Sequence, residues 1–504
     1  MTPTPVKAKT TLNFPVYTCD FDPLDPSTLI VGGGGGASKT GIGNKIAVLN
    51  TSNAEELVIA AEIELSRDED NPTSLAVGQN HLVFAGVNSS PKEIEEGRNL
   101  HFRVFEIKNT AGHEIKKKTN KQSTQLKIEE RLRCSLFKEI EKNSYQRITR
   151  LARAYPGDEC QLGVVTTGLA QIHEIVLFET AGYYPPSVRE TIEIDKEAVD
   201  VDLFQTSERV FQIAYCNEYA IYLKKITFEK EDETSRCIYL VPTARRNQKL
   251  KFPSLRAIRW ITKDHIIILT NLHGNSGVTL QLITVPPMGE DQSRVIQSIQ
   301  LPRRLTKATG LCVVDLTPRE KLLDKQYSTQ FVIAVAGHDR SLFLFTIDMK
   351  LKAGIPKLSK INTFCTFKNV HPLQMTNLAF SRSLPPKNPT KSRTEPPLLR
   401  LASVGISNTV VVHTLPLFPI DSSTKYNQGK DRRYVVALPS RIKNKGVFMS
   451  ISILVILLIA VSIQAILEIK GSVTTYIGAR ERVPTRWQEA LGLKAVRLYN
   501  PNVN

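Results

Sequence analysis

Apolar positions in the first 445 residues cluster in short β-branched runs, broken by Gly, Pro, Asn and Asp. Long amphipathic helical patterns are scarce. Short apolar or alternating runs at near-regular spacing predict an all-β sandwich, barrel or propeller. One unit recurs: an apolar run, a turn, a second run ending in a small residue, another turn, then an alternating run. TLIVGG and KIAVLN carry it within 16–50, and TSLAVG, HLVFAGV and HFRVFEI within 73–107. It returns in 147–178, 198–226, 255–285, 309–347 and 374–415.

Seven units of this kind predict a seven-bladed WD-type β-propeller over residues 1–420, with a two-domain β-protein as the rival arrangement. A blade needs only about 40–45 residues, so the surplus falls in insertions, for which 109–133, 242–252 and 384–397 are the polar or Pro-rich candidates. Ala336–Ile347 reads AGHDRSLFLFTI and resembles the end of a WD repeat, with Asp339 in the tight turn before an alternating strand. His338 is expected to buttress that blade. His101 and His173 are expected to be structural residues of strands.

The pattern changes at Gly446. From there to Leu467 the chain runs 22 residues without a charge, which predicts a transmembrane helix. The N-terminus has no apolar stretch of signal-peptide type. Residues 421–445, read as a basic juxtamembrane linker, hold seven Lys/Arg against two Asp/Glu. Positive charge stays on the cytoplasmic side, so residues 1–445 are expected in the cytosol and 468–504 in the lumen. The sequons at Asn50 and Asn88 would then go unglycosylated.

Net charge over the 504 residues is +17, from 66 Lys+Arg and 49 Asp+Glu. The basic cluster beside the apolar segment suits an anionic lipid surface. No RNP motif or Cys/His finger accompanies the rest, so nucleic acid is not an expected partner. Seven widely spaced cysteines form no CxxC pair and are expected to be free thiols.

The most informative segment is Leu29–Asn50, LIVGGGGGASKTGIGNKIAVLN. Glycines can take positive φ and let the backbone approach a ligand closely. Backbone amides cradle anions, and carbonyls coordinate cations. A phosphate-binding P-loop needs Gly directly before Lys-Thr, but Ser38 precedes Lys39-Thr40. A dinucleotide fingerprint must open a helix, whereas IAVLN is a strand pattern. Ordering five glycines is entropically costly, which favours a functional loop over a plain connector. Hydrolytic motifs are missing: there is no G-x-S-x-G and no HExxH, so covalent catalysis is not expected. Asp68, Glu69 and Asp70 read as a solvated charged loop, or as contacts to a partner.

GGGGGASKTGIGN, in the first blade of a propeller with one C-terminal anchor, resembles the endoplasmic-reticulum exchange factors for Sar-type small GTPases, the membrane proteins that initiate COPII coats. The resemblance implies a seven-bladed propeller and guanine-nucleotide exchange on the GTPase at the endoplasmic-reticulum membrane. It also implies a potassium ion held by loop carbonyls. Those carbonyls would come from Gly32, Gly33, Gly34, Gly35, Gly36, Ala37, Gly41 and Gly43. Lys39, Thr40, Ile42 and Asn44 would meet the GTPase, with Lys39 pointing outward. The tail departs from some members in ending YNPNVN, without a retrieval signal. The alternative is a membrane-anchored propeller scaffold that recruits proteins without exchange activity.

Overall fold

The computed structural model describes residues 5–38, 40–109, 126–153, 161–180, 185–227, 234–242, 252–287, 290, 292–316, 328–352, 355–382, 397–421, 432–437, 445–484 and 486–487. The chain divides into two units, residues 3–438 and the remainder.

The first unit is a seven-bladed β-propeller. Its first strand, β1 (Val6–Thr11), belongs to the last blade. Blade 1 follows as β2 (Val16–Phe21), β3 (Thr28–Gly33), β4 (Lys45–Asn50) and β5 (Val58–Glu64), each antiparallel to the next. The middle strands are apolar on both faces and wholly or nearly wholly buried, because each sheet is sandwiched between its neighbours. The outer strand β5, VIAAEIE, alternates instead and is largely exposed. The inner strands of the other blades are Ser74–Val77, Tyr145–Leu151, Asp200–Ser207, Ser254–Thr262, Ala308–Asp315 and Met375–Phe380. Because order within a blade is antiparallel, inner strands start on the rim that carries the connections between second and third strands. That rim is called the upper one here.

Each of the seven hydrophobic clusters lies between two adjacent blades, none on the axis. The ring is closed by pairing the propeller's first strand with its last blade: β1 lies along Thr409–Asp421, with Val6 opposite Thr414 and Thr11 opposite Thr409. Ala8, Phe14, Val16 and Leu29 pack there against Ala379, Ala402, Val404 and Val412.

Two expectations need correcting, and two others fall largely outside the described residues. Residues 126–133 of the expected 109–133 insertion are strand: Leu126–Cys134 is the outer strand of blade 2, and its alternating charges reflect one solvent-facing side. Of 242–252 and 384–397, all but residues 242, 252 and 397 lie outside the described residues. The propeller also runs past 420, because Arg432–Val436 adds to its last blade, Val436 facing Leu417. In the second unit, the helix is Lys445–Lys470, and a stretch apolar enough to cross a membrane covers Met449–Lys470. It ends at Gly471, whose φ of +75° lets Ser472 N–H donate to Leu467 C=O at 3.0 Å.

Candidate functional site

The glycine segment connects the second and third strands of blade 1 on the upper rim. Gly32 and Gly33 are the last two residues of β3, in register with Ile46 and Lys45, so the free loop begins at Gly34. The glycines are required by contact as well as by torsion. A Cβ at Gly33 would lie 1.9 Å from Pro15 O, and one at Gly35 would lie 2.2 Å from Thr40 Oγ1. Gly36 and Gly41 have φ of +72° and +77°, where any side chain is strained.

Asn44 fixes the loop. Its side chain has no solvent exposure. Gly36 N–H donates to its Oδ1 at 2.9 Å, and its Nδ2 donates to the carbonyls of Glu69 at 2.8 Å and Ser66 at 3.2 Å. A single amide thus ties the glycine loop to the 66–71 connection leading into blade 2. Within the loop, Ser38 Oγ donates to Gly35 C=O and Thr40 N–H to Ser38 C=O. Thr40 and Ile42 are exposed at the tip. Lys39 lies outside the described residues. Among the described residues, no hydrogen bond ends on the carbonyls of Gly34, Gly36, Gly41 or Gly43.

Glu69 is not a solvated loop residue. It is buried, with Arg103 Nη2 at 2.9 Å and Arg133 Nη1 at 2.9 Å on one carboxylate oxygen. Arg103 is itself fully buried and bridges to Glu130 at 3.2 Å. An acid in this position avoids the penalty of an unpaired buried charge only because its partners come from blade 2. No signal in the local sequence DED identifies those partners. Asp70 lies beside Gly36. Burial raises its pKa, and its Oδ1 accepts from Asn71 N–H at 2.8 Å. Gly35, Gly36, Ala37, Ser38, Asp70 and Asn71 line one side of a cleft of about 470 Å³, and Asn88, Ser89 and Pro91 of blade 2 line the other.

The upper rim is also apolar. Ile42, Leu100, Ile140, Leu169, Tyr219 and Ile406 are exposed on its connections, in at least five blades. Among the described residues, no exposed large apolar side chain sits on a lower-rim connection; Ile172, Phe252 and Leu373 lie on further upper-rim connections, and the rest on outer or final strands or in the second unit. Exposed apolar side chains gathered on one rim mark it as the candidate face for a partner.

The histidines are structural or peripheral. Burial lowers His101 to a pKa of about 4; its Nδ1 hydrogen-bonds Gln146 Oε1 and its Nε2 accepts from Leu136 N–H. His173 opens the strand His173–Thr180. His338 is exposed, so it does not buttress a buried interior; its ring bonds Gln374 of the next blade. Asp339 holds the expected tight turn, accepting from Ser341 N–H at 3.1 Å and Ser341 Oγ at 3.0 Å. The six described cysteines are free.

No family model matches the chain. Over 101 residues it is 35% identical to the Candida glabrata protein named "Putative guanine nucleotide-exchange factor SED4". The aligned stretch is 19% of this chain and 9% of that protein's length. Among solved structures, Sqt1 of Chaetomium thermophilum is similar at a TM-score of 0.45 and 11% identity, covering 79% of this chain and 95% of that one. The WD40 domain of SCAP from fission yeast is similar at 0.41 and 8% identity, covering 84% and 92%.

Proposed function

We propose that this chain is a guanine-nucleotide exchange factor for a Sar-type small GTPase, anchored in the endoplasmic-reticulum membrane with its propeller in the cytosol. One observation carries the reading: a glycine loop projects from an apolar rim yet is held in one shape by the buried amide of Asn44. The local match to a protein named as a putative exchange factor supports it.

Exchange needs no covalent step. The factor shifts the GTPase only by its differential affinity for the nucleotide-free form over the nucleotide-bound one. A preorganised loop serves this, because ordering it does not consume binding free energy. Ile42 and Thr40 at the tip would press on the partner, and the other apolar rim residues would set the footprint. The proposal includes a potassium ion at this loop. The carbonyls of Gly34, Gly36, Gly41 and Gly43 have no acceptor duty among the described residues, and the half-buried Asp70 carboxylate beside Gly36 has its charge disfavoured by burial. These groups would hold the ion, whose charge would stiffen the loop and favour ionised Asp70.

Release of labelled GDP from a Sar-type GTPase, with and without the full chain in detergent, tests the proposal. Acceleration is expected, greater in potassium than in lithium at equal ionic strength. A rate no faster than spontaneous release leaves the scaffold reading. Acceleration without cation preference removes the potassium ion alone.

A further inference from the structure

We propose that the central channel of the propeller binds a small phosphate-bearing anion at its upper mouth. The glycine loop plays no part in the argument.

The channel is a cavity of about 530 Å³, within the size range of small-ligand sites. Its lining includes Arg147, Arg150, Arg153, Arg256, Arg259 and Arg382 against Asp20, Asp200, Asp202 and Asp315, an excess of cations. Hydrophobic clusters fill the spaces between blades, so this axis is where charge can be kept.

The backbone shows how the mouth is built. Inner strands of five blades are irregular at their upper ends, each by one residue left out of the ladder: Tyr17, Arg147, Arg256, Thr309 and Thr376. A bulge re-aims a side chain out of the pleat, and all five of these residues line the channel. Two are arginines, in blades 3 and 5, either side of blade 4.

Their partners differ. Arg147 is paired with Glu197. Below the mouth, Arg150 and Arg259 both contact one carboxylate, Asp200, which also accepts from Ile258 N–H at 3.0 Å. Arg150 still has a buried Nε without a partner. Asp202 offers little compensation, because burial raises its pKa. Arg256 makes no hydrogen bond or ion pair with any described residue. Arg256 lies near Arg147, Arg259 and Asp200, and Asp200 is already bonded by Arg150 and Arg259. A half-buried guanidinium with no ion pair to a described carboxylate is complementary to a phosphate oxygen.

Calorimetric titration of the full chain in detergent tests this. Inorganic pyrophosphate and myo-inositol hexakisphosphate are the probes, and sulfate at matched ionic strength is the control. One site is expected, preferring a phosphate probe to sulfate by at least about tenfold; comparison of the probes separates an inorganic from an organic phosphate ligand. Arg256→Met should weaken that binding by about tenfold or more, the weight of one charge-assisted hydrogen bond. The unliganded variant should melt with the wild type, since no hydrogen bond or ion pair to a described residue is lost, and Arg256→Lys should recover part of the affinity. Binding of neither phosphate, equal binding of sulfate, or unchanged affinity in Arg256→Met overturns the proposal.

Discussion

Blades 1 and 6 solve the same connection differently. In blade 6 the second and third strands meet in a tight turn, where Asp339 accepts from Ser341 two residues away. In blade 1 the corresponding connection runs from Gly34 to Asn44, and Asn44 bonds Gly36, Ser66 and Glu69, which are 8, 22 and 25 residues distant. Both use a short polar side chain to organise backbone. The turn is self-contained, whereas the loop is held from outside by a connection belonging to the next blade. A segment held in this way can present bare backbone at its tip, because its main tie is one buried side chain at its base, Asn44, bonded to a neighbouring connection.

The sharpest break in the comparison is Asn44→Ala. It leaves one donor and two carbonyls without the buried amide, so a loss of about 3 kcal/mol of stability is expected. Urea unfolding measures it, and exchange by the still-folded variant should fall by about tenfold or more. A variant with wild-type stability would mean that the loop supports itself as the blade 6 turn does.

An intermediate effect comes from acid. His101, in the connection facing the loop's cleft, is kept neutral by burial with a pKa of about 4. An unfolded histidine titrates near 6.5, so between those values the unfolded state binds more protons. The stability that depends on neutral His101 is complete above about pH 6.5 and falls by about 1.4 kcal/mol per pH unit on acidification towards 4. Its imidazole resonances should not titrate above pH 5. By contrast, His81 on the lower rim is raised by its bond to Asp22. Its resonances should titrate above the ordinary histidine value. If His101 titrates near 6.5, the packing behind the loop is looser than described.

Asp339→Ala is the smallest. It removes a local turn bond on a partly exposed side chain, so a loss of about 1 kcal/mol is expected, with exchange unchanged. An exchange defect there would extend the functional surface to blade 6.

What was readable in the sequence follows the same division between local and distant. TLIVGG and KIAVLN announce their strands because both faces are buried. The turn at Asp339 is legible since its partner lies two residues on. The outer strands β5 and Leu126–Cys134 face solvent on one side, and their charged alternation resembles that of a polar loop. Glu69 looked solvated because Arg103 and Arg133, which neutralise it, stand 34 and 64 residues away. The glycine run was conspicuous, but its boundary was not. Gly32 and Gly33 are ladder residues, and the space a Cβ would need there is taken by Pro15, Thr18 and Pro72.

The seam between β1 and Thr409–Asp421 also dictates an order of events during synthesis. The strand β1 has no partner until the last blade exists, some 400 residues later. Until then the growing arc has an open edge at each end, and such edges invite pairing with other chains. The entropy of joining distant ends grows only logarithmically with separation, so closure is late without being prohibitive. The apolar helix follows soon after in the chain, so under the proposed anchoring completion of the ring and entry into the bilayer fall close together in time.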